Sequence, residues 1–454
     1  MECEVLICGA GIAGVSTAYQ LSVRYGVKNI VLVDERPPLS LTSDKSTECY
    51  RNWWPGPGNT MVALMNRSID ILEELAYQSG NIFHLNRRGY LFVTSDPENI
   101  DKFVHAAQQP ATLGAGPLRV HRNNQSHIEY IPAPSEGYEG QPTGADLFLE
   151  PSLIRHYFPY ITEQAVAALH VRRAGWFSAQ QLGMYLLQQA REHGTQVIHG
   201  KVTEIEVTGN GVKSVVVNAT DRMHTPVFVN AAGPFLKSVG SLLNLDIPVF
   251  SEMHLKVSIR DHLGIIPRDA PLLIWSDPQY LPWSEDERSI LAEDSDTCWL
   301  LDEMPAGVHT RPEGGPDSDI ALLLWEYHVN EVEPELPPPL DKQYPEIAMR
   351  GLIKMLPGLQ AYINRSPRPY LDGGYYTKTR ENRPLIGPLP VEGSYVIGAL
   401  SGYGLMASCA AGELLAKHIT GTELPSYAQA LSIDRYLDPN YRHLLDNWGA
   451  SGQL

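Results

Sequence analysis

The chain has 454 residues, of which 43% are hydrophobic, and its formal net charge at pH 7 is −17. This length exceeds the ~100–200 residues of a usual domain, so we expect two domains. The acidic balance argues against a surface that binds nucleic acid or anionic lipid, and no apolar run reaches the ~20 residues that span a bilayer.

The five cysteines are scattered along the chain, and no pair has C-x-x-C spacing. Such a set is typical of a reducing compartment and predicts neither a disulfide framework nor a metal site. The first apolar stretch, from Val5 onward, lacks a basic leader and is interrupted by glycines, which indicates a strand entering a loop rather than a signal peptide. We therefore expect a cytoplasmic protein without a bound metal, and we make no prediction of its oligomeric state.

A glycine-rich turn follows the first predicted strand, at 4–8. The turn reads Gly9-Ala10-Gly11-Ile12-Ala13-Gly14, and a second predicted strand at 29–33 ends at Asp34 and Glu35. A strand, a G-x-G-x-x-G turn, a helix, a second strand and an acid are typical of a dinucleotide-binding βαβ unit. Asp34, with Glu35 as the alternative, is expected to accept the ribose hydroxyls.

The glycines of this turn have separate physical roles. Gly9 allows the tight turn, Gly11 lets a pyrophosphate approach the backbone, and Gly14 lets the helix pack closely on the strand. The phosphates would lie at the helix N-terminus, beside Ile12 and Ala13, where free N–H groups and the helix dipole attract negative charge. The motif alone predicts a dinucleotide cofactor and leaves FAD and NAD open.

Helices and strands alternate along the rest of the chain. Apolar spacing predicts helices at 61–76, 96–108, 179–193 (with Ser178 as N-cap) and 405–419. Strands are predicted at 89–93, 196–198, 202–207, 215–217, 226–230 and 395–399. The acidic segment 284–296 and the proline-rich segment 333–344 are expected to be solvated loops. This order predicts an α/β, Rossmann-like domain together with a β-rich, antiparallel-sheet domain.

Three segments resemble the D-amino-acid-oxidase superfamily of FAD-dependent oxidoreductases, and monomeric sarcosine oxidases, glycine oxidase and dimethylglycine dehydrogenases most of all. They lie at 229–234, 374–388 and 398–412. The resemblance implies FAD, and a domain division that is discontinuous in sequence. The expected FAD-binding domain comprises 1–84, 171–245 and 371–454, and the expected substrate-binding domain comprises 85–170 and 246–370.

The resemblance also implies which further residues contact FAD. They are Ser43, Lys45, Ser46, Val202, Ala232, Gly233, Gly374, Gly402, Tyr403, Gly404, Leu405 and Met406. Val202 corresponds to the backbone contact with the adenine. The helix that begins near Leu405 would direct its positive end at the flavin and stabilise charge on the reduced ring. A plain helix-start turn is the alternative explanation of Gly402 and Gly404.

The chain departs from its relatives at several positions. Gly374 stands where monomeric sarcosine oxidases have the cysteine that bonds the flavin, and 41–51 contains no histidine that could link it as in dimethylglycine dehydrogenases. We therefore expect non-covalent FAD. In the sarcosine oxidases an arginine and a lysine bind the substrate carboxylate. Arg51 matches the arginine, but Met406 stands at the position of the lysine, and Tyr403 stands where those enzymes have a histidine. A larger, more apolar or less anionic amine than sarcosine is therefore expected.

Several aromatic residues fall in segments expected near the flavin, where they would form a bulky site or part of the core. They are Trp53, Trp54, Tyr375, Tyr376 and Tyr403. Arg311, on a predicted strand, is a second candidate for binding the substrate carboxylate. The alternative is that Arg311 has only a structural role. Lys256 is the candidate for promoting the reaction of the reduced flavin with oxygen, and Lys45 is the second candidate. The other explanation of Lys256 is an exposed lysine without a catalytic role. The predicted catalytic residues are Arg51, Lys256, Tyr403 and Met406.

The function implied by the resemblance is oxidation of the C–N bond of an amine or of an amino acid, with or without a substituent on its nitrogen. A hydride passes to flavin N5, the imine hydrolyses, and oxygen is the expected acceptor, giving hydrogen peroxide. Three alternatives are open. They are a flavin dehydrogenase subunit that passes electrons to a partner protein, an NAD-dependent Rossmann dehydrogenase, and a binding protein that uses FAD only for stability.

Overall fold

The structure is a computed structural model that describes residues 2–122, 129–327, 330–363, 365, 367–446 and 448. Its strands are Val5–Cys8 (β1), Ile30–Asp34 (β2), Cys49–Arg51 (β3), Tyr90–Thr94 (β4), Leu118–His121 (β5), Ala145–Phe148 (β6), Ala167–Val171 (β7), Ala174–Trp176 (β8), Gln196–His199 (β9), Val202–Thr208 (β10), Gly211–Val217 (β11), Asp221–His224 (β12), Val227–Asn230 (β13), Phe250–Arg260 (β14), Leu272–Trp275 (β15), His309–Glu313 (β16), Ile320–Leu324 (β17), Tyr370–Lys378 (β18), Leu385–Pro388 (β19) and Ser394–Gly398 (β20).

The α-helices alternate with these strands. They are Ile12–Tyr19 (α1), Thr60–Ser79 (α2), Ile100–Pro110 (α3), Pro151–Tyr157 (α4), Ala179–Glu192 (α5), Leu236–Ser241 (α6), Glu285–Glu293 (α7), Tyr344–Ile353 (α8), Gly404–Thr420 (α9) and Pro439–Asp446 (α10). Within the described residues, no helix is long and apolar enough to cross a membrane.

A six-stranded sheet carries the N-terminal glycine turn. Its order is β19-β20-β13-β1-β2-β9, and only β19 runs antiparallel to its neighbour. Side chains alternate across the sheet, so Val5 and Ile7 of β1 pack with the helices α1, α5 and α9, whereas Leu6 and Cys8 pack with the three-stranded sheet β10-β11-β12. A parallel sheet covered on both faces explains why its strands are apolar throughout.

A nine-stranded sheet forms the second layer, in the order β18-β14-β17-β16-β15-β4-β7-β6-β5. Its pairs are antiparallel except β4 with β15 and β5 with β6. Together with the six-stranded sheet, it confirms the predicted fold class of a Rossmann-like domain joined to a β-rich domain. Strand β18 pairs with β14 from Tyr370 to Lys378, so the segment that begins at 371, expected in the FAD-binding domain, starts inside this sheet.

One predicted loop is wrong. The acidic segment 284–296 contains the helix α7, which begins after Ser284. The Ser284 hydroxyl accepts from the backbone N–H of Glu287, and the Glu287 carboxylate accepts in return from the backbone N–H of Ser284. This capping box, with acidic residues in a first turn where the helix dipole favours them, outweighs the charge repulsion that suggested a loop.

Candidate active site

Two glycines of the N-terminal turn occupy positions where no other residue fits. Gly9 has a φ of +113°, and a Cβ on it would lie 2.3 Å from the carbonyl oxygen of Ala231. A Cβ on Gly14 would lie 1.9 Å from the carbonyl oxygen of Gly9, which shows how closely α1 packs on the turn. Gly11 differs, because a Cβ there meets only the Ser43 hydroxyl, at 3.4 Å. The open side of the turn is therefore at Gly11.

A cavity of about 460 Å³ begins at this turn and extends to the end of β2. Asp34, Glu35 and Val202 line it. The Asp34 carboxylate accepts from the backbone N–H groups of Ala10 (2.7 Å) and Arg36 (2.9 Å). Each carboxylate oxygen has a further lone pair, so Asp34 can also accept a ribose hydroxyl, and Glu35 lies in the same cavity as the alternative acceptor.

A second cavity continues from the first, because Gly11, Ser43 and Gly233 line both. Ser43 Oγ accepts from the Ile12 backbone N–H at 2.9 Å, which places the hydroxyl at the start of α1. The cavity extends past residues that sequence analysis assigned to the cofactor, and it ends at the start of α9. Those residues are Ile12, Ala13, Ser46, Gly402, Gly404 and Leu405. We call the two joined cavities the groove.

The turn before α9 has an unusual backbone. Ala399 and Ser401 have φ values of +52° and +47°, in a region that residues other than glycine seldom adopt. Both line the groove, at the point where α9 presents its N-terminus. The groove thus has helix N-termini at two places, α1 and α9, and both attract negative charge. Its length, its two N-termini and the acids at one end fit an extended FAD molecule.

Lys45 and Lys256 both hold the loop that borders the groove. The Lys45 ammonium lies 2.8 Å from Asp44 and 3.0 Å from Asp372, and its stem lies against Gly374, where an added Cβ would be 3.0 Å from Lys45 Cβ. Lys256 Nζ donates to the carbonyls of Asp44 (3.2 Å) and Ser46 (2.9 Å), and burial lowers its pKa. The role of Lys256 towards oxygen stays a prediction.

A third, smaller cavity of about 50 Å³ adjoins the groove, with Tyr376 and Gly402 as shared walls. It brings together Arg51, Tyr403 and Met406, three of the four predicted catalytic residues. We call it the substrate cavity. Its lining comes from segments distant in sequence, including β3, β4, β14, β16 and β17.

Arg51 is the cation of the substrate cavity, and it is buried. Its guanidinium lies 4.7 Å from the centre of the Trp54 ring and 5.7 Å from that of Tyr90. Burial lowers the pKa of Arg51, although an arginine remains charged at any physiological pH. Tyr403 packs edge-on against Trp54 with ring centres 5.1 Å apart, and its hydroxyl donates to the Asn382 carbonyl at 2.8 Å. These contacts hold the cation in an aromatic cage.

Sequence analysis did not predict the ion pair of His254 and Glu326, which also line the substrate cavity. His254 lies between Glu252 (3.0 Å) and Glu326 (3.2 Å) and stacks on Tyr376 with ring centres 3.8 Å apart. Burial alone would lower the pKa of His254, but Glu326 and Glu252 raise it above its ordinary value. Burial likewise opposes ionisation of Glu326, but His254 lowers its pKa to about 2. The substrate cavity therefore holds a fixed anion as well as a fixed cation.

His309 is a second histidine of the cavity. Its Nδ1 lies 2.8 Å from the Gly307 carbonyl oxygen, and burial lowers its pKa. One sequence signal could have indicated this wall, since Glu326 follows a wholly apolar run at 320–325. A carboxylate at the end of a buried strand is unusual, because its charge needs a partner.

The remaining candidates divide between site and scaffold. Trp54, Tyr376 and Tyr403 line the substrate cavity, whereas Trp53 is buried in the hydrophobic core. Tyr375 donates its hydroxyl to the Glu335 carbonyl at 2.9 Å and lines the groove. The contacts of Arg311 agree with a structural role, the alternative to binding the substrate carboxylate. Its guanidinium donates to the Thr47 carbonyl at 3.0 and 2.8 Å and covers the Trp176 ring at 5.1 Å.

The chain is similar in sequence to curated proteins and similar in fold to solved structures. Mitochondrial dimethylglycine dehydrogenase from Rattus norvegicus is 22% identical over 446 residues, which cover 95% of this chain and 45% of that protein. The human enzyme is 24% identical over 274 residues, covering 60% of this chain and 28% of that protein. The chain thus spans less than half the length of these curated relatives.

L-proline dehydrogenase from P. horikoshii superposes with a TM-score of 0.71 at 18% identity and covers 98% of both chains. Glycine oxidase from Geobacillus kaustophilus superposes with a TM-score of 0.71 at 14% identity, and the match covers 95% of this chain and 98% of the glycine oxidase chain. At such identities the structures show the fold alone. The model of the family described as "FAD dependent oxidoreductase" (DAO) matches residues 4–418. Because this match spans most of the chain, the protein belongs to the DAO family of FAD-dependent oxidoreductases.

Proposed function

We propose that this oxidoreductase oxidises the C–N bond of an amine that carries a carboxylate, such as an N-substituted amino acid. The observation that carries the proposal is the position of Arg51 in a cavity that shares Tyr376 and Gly402 with the groove. A buried guanidinium is suited to bind a carboxylate through two parallel hydrogen bonds. The names of the similar proteins, which refer to dimethylglycine, glycine and L-proline, support an amino-acid substrate.

The residues of the substrate cavity would bind different parts of the substrate. Arg51 would bind the carboxylate, Glu326 would attract the ammonium group, and the apolar wall that includes Trp325 would exclude water. When bound, FAD supplies the two-electron acceptor that takes a hydride from the carbon bearing the nitrogen, which leaves an imine. The N-terminus of α9 would stabilise negative charge at the end of the groove. Because Met406 is uncharged, Arg51 would bind the carboxylate without a second cation from that turn.

The electron acceptor is part of the proposal. We propose oxygen, with hydrogen peroxide as the product and Lys256 as the residue that promotes this step. Transfer to a partner protein is the second candidate, because a dehydrogenase appears among the similar proteins in both comparisons. Turnover of the purified protein with oxygen and with an artificial dye distinguishes the two. We also propose a cytoplasmic location, on the cysteine pattern alone.

An anaerobic panel tests the substrate class. Glycine, sarcosine, N,N-dimethylglycine, L-proline, a bulky N-alkyl amino acid and a matching amine without a carboxylate are each mixed with the purified protein. Loss of the flavin absorbance is expected with at least one amino acid and more slowly with the carboxylate-free amine. If the carboxylate-free amine is faster, the role given to Arg51 is wrong. If no compound bleaches the flavin, the binding protein without catalysis becomes the better hypothesis.

We further propose that FAD is held without a covalent bond, because Gly374 offers no nucleophile where the related oxidases have a cysteine. Precipitation of the purified protein with acid is expected to release the yellow chromophore into the supernatant, since unfolding destroys a non-covalent site. The measurement is the flavin absorbance of supernatant and pellet. Flavin that stays in the washed pellet would contradict this prediction and would point to a different linking residue.

A further inference from the structure

We propose that His309 takes the proton from the ammonium group of the bound substrate. This inference rests on the proposed function, because only an amine oxidation needs it. The nitrogen lone pair must be free when hydride leaves the adjacent carbon, whereas an amino acid in water near pH 7 carries a protonated nitrogen. A base within the substrate cavity is therefore required, unless the protein selects the scarce neutral form from solution.

The hydrogen bond of His309 fixes its tautomer. Nδ1 lies 2.8 Å from the Gly307 carbonyl oxygen, which can only accept, so Nδ1 carries the hydrogen. In the neutral ring Nε2 then has the lone pair. His309 lines the substrate cavity, and among the described residues no hydrogen bond to Nε2 is found. The ring thus offers the cavity one unprotonated nitrogen in a fixed orientation.

Charged and titratable groups line the same cavity as His309. They are Cys49 and Arg51 on β3, Tyr90 on β4, His254 on β14, Glu326 after β17, Tyr376 on β18 and Tyr403 before α9. Burial, with a smaller contribution from Arg51, lowers the pKa of His309, and the hydrogen bond to Gly307 and the charge of Glu326 partly oppose this. The ring is therefore neutral at pH 7 and able to accept a proton. Once it has done so, the Glu326 carboxylate stabilises the imidazolium.

The other groups are poor bases. Glu326 has its pKa lowered to about 2 by His254, so it attracts a cation but does not hold its proton. His254 already has both ring nitrogens engaged, one with Glu252 and one with Glu326. Burial raises the pKa of the Cys49 thiol to about 11, so it remains protonated. Burial raises the pKa of the cavity phenols as well. Among the described lining residues, His309 alone combines a free lone pair with neutrality at pH 7.

The transfer balances without a further reactant. The N–H bond of the substrate ammonium breaks, a bond from that hydrogen to Nε2 forms, and no electrons leave either group. The carbon then loses hydride from a neutral amine. In an α-amino acid the nitrogen and the carboxyl carbon are bonded to the same carbon, so Arg51 and His309 must act within one small cavity, as they are placed here. The imidazolium returns its proton to solvent when the product leaves.

Replacement of His309 by glutamine tests the proposal, since an amide can still donate to the Gly307 carbonyl. The anaerobic rate of flavin bleaching at saturating substrate, with the fastest amino acid of the panel, is expected to fall about 100-fold or more, the usual range for a lost general base. In the unmodified protein this rate should fall only at a pH below the ordinary histidine pKa of about 6.5, because burial lowers the pKa of His309. In His309→Gln that dependence should vanish, and the rate should rise towards the pKa of the substrate amine.

A weakly basic substrate separates a base from a structural role. The N-trifluoroethyl derivative of the same amino acid is neutral at pH 7 and needs no base, so His309→Gln should lower its rate less than threefold. A structural defect would slow both substrates equally. His418→Gln is the matched control, because His418 is a half-buried histidine on α9, outside the substrate cavity, whose pKa is also lowered by burial. It should behave like the unmodified protein.

Binding gives a readout that does not depend on turnover. 2-Aminoisobutyrate has no hydrogen on its α-carbon and cannot be oxidised. With ring-¹⁵N-labelled histidine, its addition should move one unprotonated Nε2 resonance towards the protonated range, because the ammonium group donates a hydrogen bond to that lone pair. The shift should be missing in His309→Gln. His309→Asn replaces the glutamine variant if the latter lacks FAD. If the unmodified protein oxidises an amino acid and the His309 variants match it in rate and pH profile, the inference is overturned. If the unmodified protein oxidises none, the proposed function fails instead.

Discussion

A protein carrying Gly11→Val is expected to fold and to purify without FAD. A Cβ on Gly11 would meet only the Ser43 hydroxyl, at 3.4 Å, so the protein itself tolerates a side chain there. The two methyl groups of valine would instead occupy the space that a pyrophosphate needs against the backbone at the start of α1. The ratio of flavin to protein absorbance after purification measures the loss, and circular dichroism measures folding.

Two other glycines provide the controls. Gly14→Ala should prevent folding, because its Cβ would lie 1.9 Å from the Gly9 carbonyl oxygen, and backbone cannot move aside cheaply. Gly315→Val should retain full flavin, because Gly315 is exposed and no atom lies within 4 Å of an added Cβ. A Gly11→Val protein that is yellow at normal occupancy would show that the phosphates lie elsewhere.

The cofactor half of the site could be predicted because its signals are local in sequence. Gly9, Gly11, Gly14 and Asp34 fall within one βαβ unit, and short-range steric rules relate each of them to the backbone. The predicted helix at 179–193 is confirmed as α5, with Ser178 capping it as expected. Membership of an FAD-dependent family then decides between FAD and NAD in favour of FAD. Non-covalent binding and a cytoplasmic location stay predictions.

The residues of the substrate cavity could be predicted only where the chain resembles known members of the family. Arg51 was found in this way, but no role was predicted for Glu326, His254 or His309. These residues meet Arg51 because β14, β17 and β16 are neighbours in the nine-stranded sheet, and strand order is a long-range property that no local pattern encodes. The positive φ of Ser401 was equally hidden, because such a backbone is imposed by tertiary packing rather than by the residue itself.

Removal of the Arg51 charge is expected to lower kcat/KM for the best amino-acid substrate by about ten- to a hundredfold. A hydrogen bond to a charged group contributes roughly 1.5–3 kcal/mol, and ~1.4 kcal/mol corresponds to a factor of ten. Arg51→Met is the preferred change, because methionine fills much of the space between Trp54 and Tyr90 and keeps the aromatic cage packed. FAD content should change little, since Arg51 lines the substrate cavity and not the groove.

The carboxylate-free amine shows whether this loss belongs to carboxylate binding. Its kcat/KM should be nearly the same in Arg51→Met and in the unmodified protein, because it has no group for the guanidinium to bind. Equal losses on both substrates would instead indicate a distorted cavity, and loss of FAD would assign Arg51 to the cofactor. Met406→Lys is the converse change. Met406 lines the same cavity as Arg51, so a second cation there should improve small N-methyl amino acids relative to bulky amines. If that ratio does not move, the correspondence between this cavity and the carboxylate site of the sarcosine oxidases fails at Arg51 and Met406.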